Sequence, residues 1–180
     1  MQSDINFSHW KSPYGELILG DYDDRLCMCD WLYRKMRPTI DRRIQSFLGV
    51  GFIENTTPII VETINQLTQY FEGERKEFNI PLMLVGSDFQ RLVWEELLKI
   101  PYGETDTYMG LSKKIGNEKA IRAVASANGA NALSILVPCH RIIGSNGKLV
   151  GYAGGIHAKS KLLKMENPTM NAQLDLFNDF

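Results

Sequence analysis

Apolar and polar side chains alternate with two different periods in the first 80 residues. The segment GELILGDYDDRLCMCDWLY predicts two β-strands around a polar turn at Asp21 to Asp24, with Leu17 and Leu19 on one strand face and Ile18 on the other. Two helices are predicted next. The first, TIDRRIQSFLG, is expected to be capped by Thr39 and ended by Gly49, and the second, TPIIVETINQLTQYFEG, to be capped by Thr57 and ended by Gly73.

The second half of the chain has mainly helical periodicity. FNIPLMLVG is a linker or a short strand, after which Ser87 and Gln90 form a predicted capping box for DFQRLVWEELLKI. TDTYMGLSKKIG and NEKAIRAVASANG predict two short helices joined by a tight turn at Gly116 and Asn117, a helix-turn-helix. A last helix is expected from about residue 156 to residue 166. We therefore expect an α+β fold with an N-terminal αβ domain (1–82), a helical C-terminal domain (83–167) and a tail (168–180).

Composition restricts the class of protein. The 180 residues are 44 % hydrophobic, which is enough for one or two compact domains. There is no apolar run of eighteen residues, and the N-terminus lacks a signal-peptide pattern, so a soluble cytoplasmic protein without a membrane segment is expected. Three cysteines, an odd number, indicate reduced thiols rather than disulfides.

Cys27 and Cys29 are expected to share one face of the second predicted strand. Two cysteines could hold a metal ion, but no second Cys/His pair accompanies them, and burial in the core is favoured. Five basic residues near the first predicted helix are expected to form a solvated face: Arg34, Lys35, Arg37, Arg42 and Arg43. Residues 81–167 carry 11 basic and 7 acidic side chains, a weak sign of a polyanionic partner.

The segment ILVPCHRIIG places a cysteine beside a histidine within an apolar run. A thiol with a pKa of about 8.5 needs a base or a positive charge nearby to act as a nucleophile, and His140 could activate Cys139. Neighbouring residues on an extended strand point to opposite faces, so contact would require a turn or a bridging water. Glu166, unfavourably placed in the last turn of a helix, could be satisfied by a histidine ring or equally by solvent.

The predicted helix 117–129 is rich in small residues, namely Ala120, Ala123, Ala125, Ser126 and Ala127. Small side chains allow close approach either to a neighbouring helix or to a nucleic-acid groove. Arg122, which projects from the same helix, supports the second alternative.

The segments ANGANALSILV, PCHR, YAGG and LLKMEN together resemble the active-site signature of the O6-alkylguanine-DNA alkyltransferases. SPYGELILG is typical of the N-terminal αβ domain of that family. The resemblance implies a ribonuclease H-like sheet followed by a winged-helix-like helix-turn-helix domain. It also implies single-turnover, irreversible alkyl transfer from O6-alkylguanine, and less well from O4-alkylthymine, in duplex DNA, after base flipping through the minor groove, with no cofactor or metal.

The family pattern implies a role for each matching residue. Cys139 is the alkyl acceptor, His140 and Glu166 activate it, Asn131 is the hinge, Arg122 enters the base stack, and Tyr108 contacts the 3′ phosphate and the flipped guanine. The remaining DNA contacts are expected at Ala123, Ser126 and Ala127, and the substrate pocket at Val137, Pro138, Tyr152, Ala153 and Gly154. Ala153 stands where the family often has serine, and Cys139 excludes the branch that has tryptophan at this position.

The tail contains QLDLF, which resembles the pentapeptide that docks bacterial repair and replication proteins on the sliding clamp. The residues concerned are Gln173, Leu174, Asp175, Leu176 and Phe177. A disordered end or a strap over the core is the alternative for this segment. For the whole chain, expected to be a monomer, two other functions stay open: a helix-turn-helix regulator without catalysis, and a cysteine hydrolase.

Overall fold

The structure is a computed structural model that describes residues 4–170. A four-stranded sheet, in the order β3-β2-β1-β4, forms the N-terminal half; its strands are β1 (Ile5–Ser12), β2 (Gly15–Tyr22), β3 (Arg25–Trp31) and β4 (Phe52–Glu54). β4 runs parallel to β1, and the other neighbours are antiparallel. Asp23 and Asp24, both with positive φ, make the tight turn between the two strands predicted from sequence. Those two strands are confirmed, whereas β1 and β4 were not predicted.

Two helices pack with this sheet, α1 (Arg37–Leu48) and α2 (Pro58–Phe71). α1 begins before the predicted Thr39 cap, because Pro38 occupies its first turn, where a missing N–H costs nothing. Gly49, with φ of 72°, ends this helix as predicted. Thr57 caps α2 as predicted, its side chain accepting a hydrogen bond from the Ile60 N–H at 3.4 Å.

The C-terminal half contains α3 (Asp88–Leu97), α4 (Tyr108–Lys114), α5 (Ile121–Gly129) and α6 (Gly155–Glu166), with a two-residue parallel pair, β5 (Asp106–Thr107) and β6 (Ile142–Ile143). The capping box of Ser87 and Gln90 is formed in both directions. α4 and α5 make the predicted helix-turn-helix, but a 3-10 turn at 118–120 delays the start of α5. The expected two-part α+β architecture is confirmed.

One large apolar core joins the two halves. It contains Leu17 and Tyr70 from the N-terminal half together with Trp94, Val137 and Cys139 from the C-terminal half. β3 also bonds the segment before Cys139 through its backbone: the Cys29 N–H donates to Ala132 O at 2.8 Å, and the Cys29 carbonyl accepts from Ser134 N at 2.7 Å. The N-terminal sheet therefore supports the loop that carries the candidate nucleophile.

Cys27 and Cys29 are buried, as expected, but they do not share a face. A register shift opposite Gly20 and Asp21 places Cys27 in a smaller core cluster with Ile5, while Cys29 lies in the large one. Burial raises the pKa of Cys27 to about 12.

Within residues 4–170, no group of three or more His, Cys, Asp or Glu side chains could hold a metal ion, and no helix is long and apolar enough to cross a membrane.

The prediction that the five basic residues near α1 form a solvated face is wrong for three of them. Arg34 is buried and paired with Asp30, Arg37 bonds the same carboxylate, and Arg43 lies over the Trp94 ring at 5.3 Å. Asp30, fully buried on β3, explains the positions of Arg34 and Arg37, because a buried carboxylate requires paired donors.

Candidate active site

Cys139 lies in a tight turn rather than on an extended strand. Ile135 has φ of 74°, an uncommon conformation for a β-branched residue, and reverses the chain so that Val137 N–H donates to Leu133 O at 2.8 Å. Residues Cys139–Arg141 then form a single 3-10 turn. A turn, one of the two conditions stated for contact between Cys139 and His140, is therefore present, and both side chains are buried.

Asn131 fixes the position of the candidate nucleophile. Its Nδ2 donates to Val137 O at 2.9 Å and to Cys139 Sγ at 3.2 Å, while its Oδ1 accepts from Leu133 N at 2.9 Å. The residue is 2 % exposed, so solvent does not compete for these bonds. The structure thus brings together Asn131 and Cys139, which the sequence analysis singled out separately.

His140 and Glu166 form a buried pair behind Cys139. His140 Nε2 lies 2.8 Å from Glu166 Oε1, and both side chains are fully buried. The other ring nitrogen, Nδ1, is buried and bonds no protein atom within residues 4–170. In the neutral ring, Nε2–H donates to the carboxylate and Nδ1 is left as a proton acceptor.

Arg141 completes this cluster and was not assigned a role from sequence. Its guanidinium donates two hydrogen bonds to Glu166, from Nε to Oε2 at 2.8 Å and from Nη2 to Oε1 at 2.9 Å. Its Nη1 donates a third to Ile100 O at 2.6 Å. Burial alone would raise the pKa of Glu166, but the facing His140 and Arg141 hold it well below its ordinary value. Glu166 is therefore a carboxylate at every working pH.

Burial also determines the protonation states of the dyad and the nucleophile. Burial lowers the pKa of His140, and the attraction of Glu166 offsets only part of this effect. Burial raises the pKa of the Cys139 thiol, and the Asn131 hydrogen bond and the Lys159 charge offset it in part. At neutral pH the resting site therefore holds a neutral imidazole and a neutral thiol, so a proton must leave sulfur before the thiolate can react.

Lys159 is a buried cation whose charge acts on Cys139, and it was not singled out from the sequence. It is fully buried on α6, and its Nζ donates to the carbonyls of Ile142, Val150 and Gly151. Burial lowers its pKa to about 8, whereas a thiolate at Cys139 would raise it. Lys159 lies seven residues before Glu166 on the same helix; this spacing places both on one face and was an available signal.

Arg34 ties the N-terminal half to the end of α5. Its Nη1 donates to both oxygens of Asp30 and to Asn131 O at 2.9 Å, while Nη2 donates to Gly129 O. Gly129 O is one of the free carbonyls at the helix C-terminus, where a positive charge is favourable. Arg34 therefore bonds the backbone of Asn131 from the N-terminal half of the chain.

α5 presents a smooth outer face. Arg122, Ala123 and Ser126 are exposed on it, in agreement with a surface role. Ala127 is not part of this face: it is 2 % exposed, and its carbonyl accepts a hydrogen bond from Trp94 Nε1 at 2.8 Å. Helical periodicity turns Ala127 inward with Val124, so the expectation that its side chain contacts DNA is wrong.

A cleft of about 640 Å³ opens beside Cys139. Tyr152, Ala153 and Gly154, three of the predicted pocket residues, line it together with Tyr108. Its far wall comes from the N-terminal half: Tyr14, Gly15, Glu16, Trp31, Tyr33, Arg34, Lys35 and Met36. Val137 and Pro138 were also expected in the pocket. Both are buried and do not line the cleft, and Val137 packs in the large core.

Gly154 packs against Trp31, so we expect Gly154→Ala to lower the free energy of unfolding by about 1–3 kcal/mol. A Cβ at Gly154 would lie 2.4 Å from Trp31 Cε2, which must shift along the cleft wall. Urea unfolding measures the effect. Gly129→Ala is the control, since nothing lies within 4 Å of a Cβ there; equal stability changes in both variants would contradict the close packing.

The fold and the site define a two-part α+β protein with a buried, positioned cysteine in a helix-turn-helix domain. Two family models match: "6-O-methylguanine DNA methyltransferase, ribonuclease-like domain" over residues 5–84, and "6-O-methylguanine DNA methyltransferase, DNA binding domain" over residues 88–168. The chain belongs to this family, which confirms the resemblance found in the sequence.

Relatives and solved structures agree with this assignment. A methylated-DNA–protein-cysteine methyltransferase of Methanosarcina acetivorans is 41 % identical over 89 % of this chain and 97 % of the relative, and one of Mycobacterium leprae is 40 % identical over 97 % and 99 %. The crystal structure of Mycobacterium tuberculosis O6-methylguanine methyltransferase is 39 % identical, covers 97 % of this chain and 99 % of its own, and has a TM-score of 0.77. A complex of that mycobacterial protein with DNA has the same TM-score.

Proposed function

We propose that this protein repairs DNA by moving the alkyl group of O6-alkylguanine irreversibly onto Cys139, and that it accepts O4-alkylthymine less well. The observation that carries the proposal is the placement of Cys139 Sγ beside the cleft, held by Asn131 and next to the His140–Glu166 pair. Relatives named methylated-DNA–protein-cysteine methyltransferases support the same chemistry.

The reaction begins with removal of the thiol proton. A water molecule relays this proton from Cys139 to His140 Nδ1, the buried nitrogen that bonds no protein atom in the described part of the chain, and Glu166 stabilises the resulting imidazolium. The sulfur then forms a bond to the alkyl carbon while the carbon–O6 bond breaks, and the electron pair of that bond remains on guanine. Guanine takes up a proton from the Tyr108 hydroxyl, and His140 returns the thiol proton through water to the Tyr108 oxygen.

The lesion must leave the duplex to reach sulfur. Extruding a nucleotide costs a few kcal/mol, and a side chain that fills the vacancy lowers this cost. Arg122, exposed on α5 between small residues, is the proposed filler, and Ala123 and Ser126 allow that helix to lie in the minor groove. Within the cleft, Tyr108 and the loop 152–154 surround the extruded base.

The thioether product is too stable to hydrolyse, so each molecule acts once. All three cysteines are free and buried, which fits a reducing compartment such as the cytoplasm. No step requires a cofactor or a metal ion, and the protein is proposed to act as a monomer.

Counting the repaired lesions separates this proposal from its two alternatives. A duplex with one O6-methylguanine is added in excess, and the remaining methylguanine is measured by nucleoside chromatography. We expect loss of one lesion per protein molecule and then no further change. Repeated turnover of lesions or of small esters would indicate a hydrolase, and unchanged DNA with tight binding would indicate a regulator.

We also propose that the QLDLF segment binds the bacterial sliding clamp. Gln173, Leu174, Asp175, Leu176 and Phe177 lie outside the described residues, so the proposal depends on the sequence match alone. Short peptides of this kind bind by inserting apolar side chains into a preformed groove. Tethering would raise the effective concentration of the enzyme on DNA.

Removing the tail is therefore expected to abolish clamp binding and leave alkyl transfer unchanged. Purified clamp is titrated with the full chain, with a form that ends at Pro168, and with a form in which Leu176 and Phe177 are both alanine. Only the full chain should bind. Binding by all three forms, or by none, would contradict the assignment of the clamp site to QLDLF.

A further inference from the structure

Glu166 receives a hydrogen bond from the N-terminal half of the chain. The hydroxyl of Tyr70, on α2, donates to Glu166 Oε1 at 2.6 Å, across 96 positions in sequence. The same oxygen faces His140 Nε2 at 2.8 Å. The Tyr70 hydroxyl and the His140 imidazole, which takes up the proton in the proposed function, thus share one acceptor atom, Glu166 Oε1.

The Tyr70 ring is held rigidly enough to aim its hydroxyl. It is fully buried, and its neighbours are the rings of Phe71 and Phe78, each 5.4 Å away between centroids, and Tyr102 at 6.1 Å. Three aromatic contacts would be satisfied equally well by phenylalanine. What the Tyr70 hydroxyl adds to this packing is its hydrogen bond to Glu166.

We propose that Tyr70 is a positioning residue for alkyl transfer: its hydroxyl orients Glu166 and limits the negative charge that this carboxylate presents to His140. This inference rests on the proposed function of the site. Glu166 Oε1 accepts hydrogen bonds from Tyr70, His140 and Arg141. Tyr70 and Arg141 therefore each reduce the negative charge that this oxygen presents to the His140 imidazole. With the phenol in place, the imidazole keeps a proton less strongly and returns it more readily, by way of Tyr108, to the leaving guanine.

Other titratable groups surround the His140–Glu166 pair on the elements packed against it, and Tyr70→Phe leaves all of them in place. They are Arg141 beside it in the turn, Lys159 on α6, Tyr102 after α3, Tyr152 in the cleft loop, and Cys139 itself. Of these, Tyr102 is a useful comparison. Its hydroxyl donates to the Met165 carbonyl at 3.5 Å and not to the carboxylate, although its ring is adjacent to that of Tyr70.

Tyr70→Phe is therefore expected to raise the pKa of His140 by about half to one unit, since Oε1 then offers more charge to the imidazolium. Two measurements report this. The first is an NMR titration of the imidazole signals, which is tractable because the chain has only three histidines. The second is the acidic limb of the pH profile for transfer from methylated duplex, which should move to higher pH by the same amount.

Tyr102→Phe is the matched control and should leave both measurements unchanged. A second replacement at the site, Tyr70→3-fluorotyrosine, keeps the fold and strengthens the donor, so its shift should have the opposite sign. Equal titrations of wild type and Tyr70→Phe, or the same shift in Tyr102→Phe, would overturn the inference. Failure of the wild-type protein to repair DNA would instead refute the proposed function, because the NMR titration needs no substrate.

Discussion

Replacing Cys139 by alanine is expected to abolish alkyl transfer completely and to leave affinity for methylated duplex largely unchanged. Cys139 is the only one of the three cysteines that borders the cleft, whereas Cys27 and Cys29 lie in the sheet core. Its removal takes away the atom that accepts the alkyl group. It leaves α5 and the exposed Arg122 intact, and these are the proposed contacts with DNA.

Cys27→Ala is the matched control for this variant. It also removes a buried thiol, and it should retain one equivalent of transfer per molecule. Repair is followed by loss of O6-methylguanine, and binding by fluorescence anisotropy of a labelled duplex. Measurable repair by Cys139→Ala would show that another group accepts the alkyl carbon.

Replacing Glu166 by glutamine is expected to slow transfer by about 10²- to 10⁴-fold, the usual contribution of general acid–base catalysis. The amide has no charge to stabilise the imidazolium that forms when His140 takes up the thiol proton. The pKa of His140, which burial already lowers, should fall further. The acidic limb of the profile therefore moves to lower pH, the opposite direction from the effect of Tyr70→Phe.

This variant should also be less stable. Arg141 would keep a buried guanidinium without a charged partner, at a cost of about 3–5 kcal/mol. Rates are therefore measured below the melting transition, with Glu95→Gln, an exposed replacement on α3, as control. A rate within the range of that control would contradict the role of Glu166 in activating His140.

Residues whose signal is local could be found from the sequence. PCHR is a contiguous motif, and Asn131 lies only eight residues before Cys139, so the turn that joins them brings the two together. The capping box at Ser87 is equally local, since its two hydrogen bonds join residues three apart. Their geometry nevertheless needed the structure, because the left-handed conformation of Ile135 cannot be read from an apolar run that is otherwise typical of a strand.

Residues that act across the chain could not be found in this way. Arg34 reaches Asn131 over 97 positions and Tyr70 reaches Glu166 over 96. In sequence, Arg34 belongs to a basic cluster that is most simply solvated, and Tyr70 lies inside the predicted helix TPIIVETINQLTQYFEG with no feature that sets it apart. Arg34 is buried rather than solvated because it pairs with Asp30, a buried carboxylate on β3 that also pairs with Arg37.

The most direct test follows the alkyl group itself. The wild-type protein is mixed with a duplex that carries one O6-methylguanine, and both the intact protein and its proteolytic peptides are weighed by mass spectrometry. We expect a single added CH₂ unit, located on the peptide that contains Cys139, with matching loss from the DNA. A protein of unchanged mass after complete mixing, or a methyl group on any other residue, would contradict it.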